Sequence, residues 1–282
     1  ISVGVGYGMQ KEIKDKISSF ESHITIQSFN NTINENSVNP ISPELNFIDD
    51  LKSIPEVKNV ERIISKFGVV RTAQDFDGLY FKGLDKNYDF SRIKKYIIDG
   101  NTPMFSDNFS NDVLISKTLA DKLDLKVNES FQMLFSKTEN QNPSILKLVV
   151  VGIYDSGFEE LDSKFIFGDI KQIRRILKWK KNQISSLEIQ LYNQSGLESI
   201  SESIYLNSPS DFDVLTVKEK YYSVYEWIEL FDKNIYAIIF IMILVASVNI
   251  ISVLLVLILE RTNMIGILNC LLYTSPSPRD VH

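Results

Sequence analysis

Between Asn234 and Leu259 the chain runs 26 residues without a formal charge: NIYAIIFIMILVASVNIISVLLVLIL. About 20 apolar residues in a helix cross the hydrocarbon core of a bilayer. A helix apolar on every side at this length has no place in the core of a domain of ordinary size. This segment is therefore read as a transmembrane helix. Well inside it, Ser247, Asn249 and Ser252 carry the polar side chains. A carboxamide in lipid is costly unless it meets another helix, so these three mark a helix-packing face.

The charge lies before the helix. Residues 9 to 233 hold 28 of the 30 Lys and Arg and 34 of the 36 Asp and Glu, which leaves the whole net charge of −6 on this part. It is a mildly acidic domain, too polar for lipid. It shows no basic stripe, so nucleic acid is not an expected partner. The single cysteine, Cys270, falls beyond the helix. The domain must therefore stand on its hydrophobic core without disulfides, which a segment of about 220 residues can do.

Both ends carry expectations of their own. Ile1 to Met9, ISVGVGYGM, is uncharged, apolar and glycine-rich, and the chain turns polar at Gln10, Lys11 and Glu12. It reads as the outer end of a first, truncated membrane helix. At the other end, CLLYTSPSPRD from Cys270 to Asp280 can be encoded by a run that resembles read-through of a transposase-based sequencing adapter. Residues 270–282 are accordingly expected to be a sequencing artefact without function. The expected division is 1–9 for the helix end, 10–217 for the soluble domain and 218–233 for a stalk helix. Residues 234–259 form the membrane helix and 260–269 begin the segment after it.

Inside the domain, hydrophobic period gives the elements. Lys11 to Phe20 has helical spacing, and HITIQSF from His23 alternates as a strand. Ser42 is placed to cap a helix running to about Ser53, with Pro43 in its first turn and Glu44 near its positive end. VKNVERIISKFGVVRT, GLYFKGLD, ESFQMLF, LKLVVVGIYDS, SSLEIQLYN and FDVLTV read as strands. SNDVLISKTLADKLDL and SKFIFGDIKQIRRIL read as strand into helix, the second with Asp169 at the cap, and GLESISESIYLNS reads as a helix. The irregular order predicts an α+β domain with mixed or antiparallel sheets in two subdomains. From Lys218, KEKYYSVYEWIELFDKN places Tyr221, Val224, Tyr225, Ile228 and Phe231 at helical spacing, with Trp227 where an interfacial aromatic belt would lie. Neither Pro nor Gly interrupts the run, which predicts one continuous helix from about Lys218 to Leu259.

The chemistry survey is sparse. No G-x-x-x-x-G-K-[ST], H-E-x-x-H, C-x-x-C or G-x-S-x-G occurs. His23 is the one histidine before the tail and reads as a structural residue at a strand edge. Glu159, Glu160 and Asp162 form a carboxylate run that reads as a solvated turn, short of the ligands that calcium requires. Lys171, Arg174, Arg175, Lys178, Lys180 and Lys181 make a basic helix face that reads as wet. The chain is therefore read as no enzyme, and no cofactor is expected on it.

Taken together, GYGMQKEI, SFESHITI, DVLISKTLADKLDLKVNESF, VVGIYDSGFEELDSKFIFGDI and ASVNIISVLLVLILERTNMIGIL resemble the FtsX-like/MacB-type ABC transporter permeases. Within them the chain is most similar to the lipoprotein-releasing LolC/LolE-type transmembrane subunits. The most specific run is Glu260 to Leu268. The resemblance implies a MacB-like periplasmic core with porter and sabre subdomains, set between the first two of four membrane helices in the bacterial inner membrane. It implies a cytoplasmic ABC ATPase subunit, a second permease subunit in a homo- or heterodimer, membrane lipids, a lipoprotein cargo and a periplasmic lipoprotein chaperone as partners. Glu260, Arg261, Met264 and Gly266 would then face the ATPase. Tyr221, Tyr225, Trp227 and Ile228 would form the stalk that carries movement. The loop that forms a chaperone-contacting hook in that family falls at Ser136 to Ile145 and offers Lys137, Asn140 and Pro143. Here it is short, with Pro143 its only proline. The resemblance leaves two alternatives open: a MacB-like efflux permease, and a non-transport FtsX-like mechanotransducer acting on a cell-envelope partner.

Overall fold

The computed structural model describes residues 2–33, 38–71, 75–136 and 142–273. The chain divides into two compact units, Tyr7–Tyr222 and, together, Ile1–Gly6 with Ser223–His282.

The elements in chain order are α1 (Ser2–Phe20), β1 (Ile24–Ser28), α2 (Phe29–Ile33), α3 (Leu45–Ser53), β2 (Val57–Arg71) and β3 (Phe76–Leu84). Next come α4 (Ser91–Lys94), β4 (Ile97–Gly100), β5 (Asp112–Ser116), α5 (Lys117–Leu123), β6 (Ser130–Phe135), β7 (Ser144–Tyr154) and α6 (Glu159–Asp162). The rest are β8 (Phe165–Asp169), α7 (Ile170–Leu177), β9 (Ser186–Leu191), α8 (Leu197–Asn207), β10 (Phe212–Thr216), α9 (Val217–Lys220) and α10 (Tyr222–Tyr273). The ten strands form one mixed sheet in the order β10-β1-β9-β2-β3-β8-β5-β7-β4, with β6 pairing β2 and β7. Among the described residues only β3–β8 and β5–β7 are parallel. The α+β expectation holds, but the strands expected in sheets of two subdomains join in one sheet, because β2 and β7 each run long enough to pair in both parts.

Two long strands knit the sheet. β2 pairs β9 through Val57–Ile63, pairs β3 from Ile63 onward, and reaches β6 at Val69–Arg71. β7 pairs β6 through Ser144–Val149 and β5 through Val149–Tyr154. Side chains alternate along a strand, and directly paired residues share a face. The register therefore puts Thr25, Glu188 and Glu61 in one row of one face, with Ser65 and Lys82 beside them. The other face carries Ile24, Ile26, Leu187, Ile189, Ile64, Phe81 and Ile166, all fully buried. On that face α7 crosses so closely that a Cβ on Gly83 would sit 2.8 Å from the Ile170 Cα.

Local signals place several helix ends. The Ser116 hydroxyl accepts from Leu119 N–H at 3.1 Å, and the Asp169 carboxylate accepts from Lys171 N–H at 2.9 Å. Thr216 and Glu219 form a reciprocal capping box on α9. Ser42 is not the cap of α3. Glu44 holds that position in extended conformation, without a side-chain cap bond. Ile41 is bridged to Ile184, and the residue before Pro43 is biased toward extended backbone, which keeps Ser42 out of the helix start.

The expected continuous helix from Lys218 is also corrected. α9 ends at Lys220, Tyr221 takes φ −115 and ψ 38, and α10 begins at Tyr222. From there α10 runs 52 residues to Tyr273, about 78 Å at 1.5 Å per residue. It is the one helix among the described residues long and apolar enough to cross a membrane. In the same unit Gly6 is buried, and a Cβ there would lie 2.8 Å from Ile235 Cδ1, so the start of α1 lies directly against α10.

Candidate functional site

The chain enters the Tyr7–Tyr222 unit through α1 and leaves it through α9, and β1 and β10 are antiparallel neighbours at the sheet edge. Their ladder ends at Ile24–Thr216, and one bond further on Val217 N–H donates to the His23 carbonyl at 2.9 Å. Entry and exit therefore lie side by side. Just past this point sits a buried cluster of charge.

Glu21 follows the last residue of α1 and its side chain is 2% exposed. It accepts from Lys82 Nζ at 3.4 Å, Lys220 Nζ at 3.0 Å and the Tyr221 hydroxyl at 3.2 Å. Lys82, from the centre of β3, also donates to the Phe20 carbonyl at 3.2 Å and pairs with Glu188 of β9 at 2.8 Å. A cation at the carbonyl end of α1 is favoured by the helix dipole. Lys220 also reaches the Thr25 hydroxyl at 3.4 Å. The Phe20 ring packs beside the cluster, 4.9 Å from Tyr154 and 5.2 Å from Tyr96. On the other side a polar cleft of about 360 Å³ opens over Thr25, Ser65, Phe165, Glu188 and Lys220.

The electrostatics follow from burial and charge together. Burial alone would raise the Glu21 carboxyl, but the cations of Lys220, Lys82 and Lys164 outweigh it and hold the group well below the usual carboxylate range. Burial alone would lower Lys82, but Glu188 and Glu21 outweigh it and push the ammonium up. Burial, and then the charge of Glu21, push the Tyr221 phenol up, so it stays a hydrogen-bond donor. A second buried pair adjoins the first. Arg92 meets Glu61 at 2.7 Å and Gln190 Oε1 at 2.6 Å. Burial raises the Glu61 carboxyl, and Arg92 opposes it. His23 is buried, and its Nδ1 accepts from Leu191 N–H at 3.0 Å. Burial, and then Arg92, lower its pKa to about 4, so the ring is neutral and structural.

This arrangement holds and orients backbone. Among the described residues no group of three or more His, Cys, Asp or Glu could hold a metal ion. Asp162, read as part of a wet turn, is instead buried, and its carboxylate accepts from Ser156 N–H at 3.2 Å. The Ser116 hydroxyl donates to the Asp162 carbonyl, which ties the α6 turn to the start of α5 and takes it out of water. Glu159 and Glu160 are exposed, as a solvated turn requires. The basic face of α7 is partly committed as well, since Lys171 Nζ donates to the carbonyls of Ser106 and Asn108.

Of the sequence-predicted positions, the structure brings Tyr221 into the cluster, buried at 6% exposure. Tyr225, Trp227 and Ile228 lie on α10, where Ile228 is buried and Trp227 stacks 5.5 Å from Phe231. Ser247 and Ser252 donate back to the carbonyls of Ile243 and Val248, which satisfies both hydroxyls within α10. Asn249 is exposed on the same helix. Glu260, Arg261, Met264 and Gly266 continue α10, all exposed. Pro143 is exposed just before β7, while Lys137 and Asn140 lie outside the described residues. Sequence reasoning missed Glu21, Lys82, Glu188 and Lys220. The available signal was opposite charge flanked by apolar residues in two strands, FKGL and LEIQ.

The comparisons decide the family. The MacB-like periplasmic core domain matches residues 1–205. The chain belongs to that family. It is an ABC transporter permease of the MacB/FtsX type, a membrane protein with a periplasmic domain. No curated protein matches the chain by sequence. Among solved structures it is similar to the extracellular domain of the noncanonic ABC-type transporter YknZ from Gram-positive bacteria, at 17% identity and TM-score 0.43, covering 68% of this chain and 99% of that one. It is similar to the periplasmic region of MacB from Actinobacillus actinomycetemcomitans, at 14% identity and TM-score 0.45, covering 73% and 92%. A domain of a permease-like protein from Porphyromonas gingivalis aligns at 10% identity and TM-score 0.35, covering 69% and 88%. In this MacB-like chain the charge cluster lies where the two chain ends of the Tyr7–Tyr222 unit come together.

Proposed function

We propose that this MacB-like chain is the permease subunit of an inner-membrane ABC transporter that releases lipoproteins toward the outer membrane. ATP is hydrolysed on a separate cytoplasmic subunit, and the chain passes the stroke to its periplasmic domain. The observation that carries the reading is a MacB-like core ending in a helix of 52 residues whose apolar part matches a bilayer. Gly6 against Ile235 supports a first membrane helix beside it, because small residues let helices approach closely.

Under this reading Glu260, Arg261, Met264 and Gly266 begin the segment that meets the ATPase. Asn249 faces a helix of the second permease subunit or of the same permease. Lys137, Asn140 and Pro143 offer a small contact for a periplasmic lipoprotein chaperone. The test is release from proteoliposomes holding the full permease, its ATPase subunit and a triacylated lipoprotein. ATP-dependent transfer of the lipoprotein to a soluble acceptor is the expected result. ATP turnover that proceeds without binding or releasing the lipoprotein would overturn the cargo and favour efflux of another substrate.

A further inference from the structure

We propose that Glu21 is the positioning residue that makes the two chain ends of the periplasmic domain respond as one unit when the ATPase acts. The inference rests on the permease reading and names the contact through which that reading operates.

The β1–β10 ladder fixes the two ends only as far as Ile24–Thr216, with the Val217 N–H bond to His23 just outside it. Beyond that point no ladder continues. The outgoing chain opens α9 with a capping box, breaks at Tyr221 and starts a new helix at Tyr222. A break of this kind has its own freedom unless something pins it. Glu21 pins it from the other chain end, taking the Tyr221 hydroxyl on Oε1 and Lys220 on Oε2. The same Oε2 holds Lys82, which in turn holds the Phe20 carbonyl at the end of α1. One carboxylate thus collects donors from the incoming end, the outgoing end and the middle of the sheet.

Burial makes this joint close to all-or-none. An ionised carboxylate with its side chain 2% exposed is tolerated only while its donors stay in place, so moving one end alone strands a charge. Moving both ends together keeps Glu21 with Lys220 and Tyr221, and Lys82 retains Glu188. Three cations face Glu21: Lys82 and Lys220 as direct partners, and Lys164, whose ammonium lies 5.0 Å from the Tyr221 ring centroid. Glu188 faces the cluster from β9 and pairs with Lys82 at 2.8 Å, a partner independent of Glu21.

That second pairing makes a clean variant available. Glu21→Gln keeps the shape and leaves Lys82 with Glu188, so the domain still folds. Lys220→Met probes the same joint from the outgoing side. The measurement is hydrogen–deuterium exchange on the full permease with its ATPase subunit in nanodiscs, with and without adenylyl imidodiphosphate. The reporters are the amides of Glu21, Val217 and Tyr221, which donate to Ile17, His23 and Val217.

Without nucleotide, either variant is expected to speed exchange at the Glu21 and Tyr221 amides at least tenfold while the amides of Ile64, Phe81 and Ile166 stay unchanged. With nucleotide, the wild-type reporters are expected to change together, and in Glu21→Gln only one side changes. Unaltered exchange in the variants without nucleotide overturns the joint whatever the protein transports. A concerted nucleotide response that survives in both variants also overturns it. A wild-type complex whose reporters ignore nucleotide, despite variants that loosen the joint, overturns the permease reading instead.

Discussion

At the scale of single residues, the domain keeps ionised groups where most domains keep leucine. Lys82 is 1% exposed and Glu188 is 3% exposed. In sequence, FKGL and LEIQ look like strands with one wet face, because alternation reports which residues share a face and not what covers it. Lys82 meets the Phe20 carbonyl and the Glu21 carboxylate, some sixty residues away, and Glu188, over a hundred residues away, so local pattern could not reveal the pairing. His23 was legible as structural, and its titration makes a test. Its folded pKa, about 4, lies below the ordinary 6.5, because burial and then Arg92 disfavour the cation and Nδ1 is already accepting from Leu191. The unfolded chain therefore binds the extra proton between those two values, so stability rises with pH across the window. The rise is about 3 kcal/mol, from about 1.4 kcal/mol per unit. Above about pH 6.5 the contribution is flat. Chemical denaturation of the wild type and of His23→Asn from pH 4 to pH 7 checks this. The wild type should show the steeper slope by that amount, and equal slopes would remove the role of His23.

At the scale of elements, strands and caps with strong local chemistry were readable. Asp169 before α7 sits where its side chain predicts, and the strands of the sheet fall within a few residues of their hydrophobic runs. Besides α6, read as a turn, three short elements were not readable. α2, α4 and β4 have four or five residues each, too few for a period to show. The break at Tyr221 was also invisible, since neither Pro nor Gly marks it. There the phenol is held by Glu21, a tertiary contact that no local signal announces. In α10, Ser247 and Ser252 turn inward to their own backbone, which leaves Asn249 as the polar group that asks for a second helix. Asn249→Leu should weaken helix association in the full permease by about 1 kcal/mol, the scale of hydrogen bonds between membrane helices. Energy transfer between labelled subunits in detergent measures it. Unchanged association would show that Asn249 packs against nothing.

At the scale of the whole molecule, the division between a charged domain and an uncharged helix was the clearest message of the sequence. It follows from the cost of charge in hydrocarbon, which permits no compromise. The order β10-β1-β9-β2-β3-β8-β5-β7-β4 was not legible, because long-range pairing leaves no mark in any one segment. Yet that order sets β1 beside β10, brings the two ends of the domain together and lets one carboxylate serve both. The account requires the domain and the Glu260 end of α10 to lie on opposite sides of one membrane. The direct measurement is labelling by a membrane-impermeant maleimide in a Cys270→Ser background, with single cysteines at Asn193 and at Arg261, both exposed. In cells with only the outer membrane opened, the cysteine at Asn193 should label at once, and the one at Arg261 only after the inner membrane is breached. Labelling of both from the same side would contradict the account.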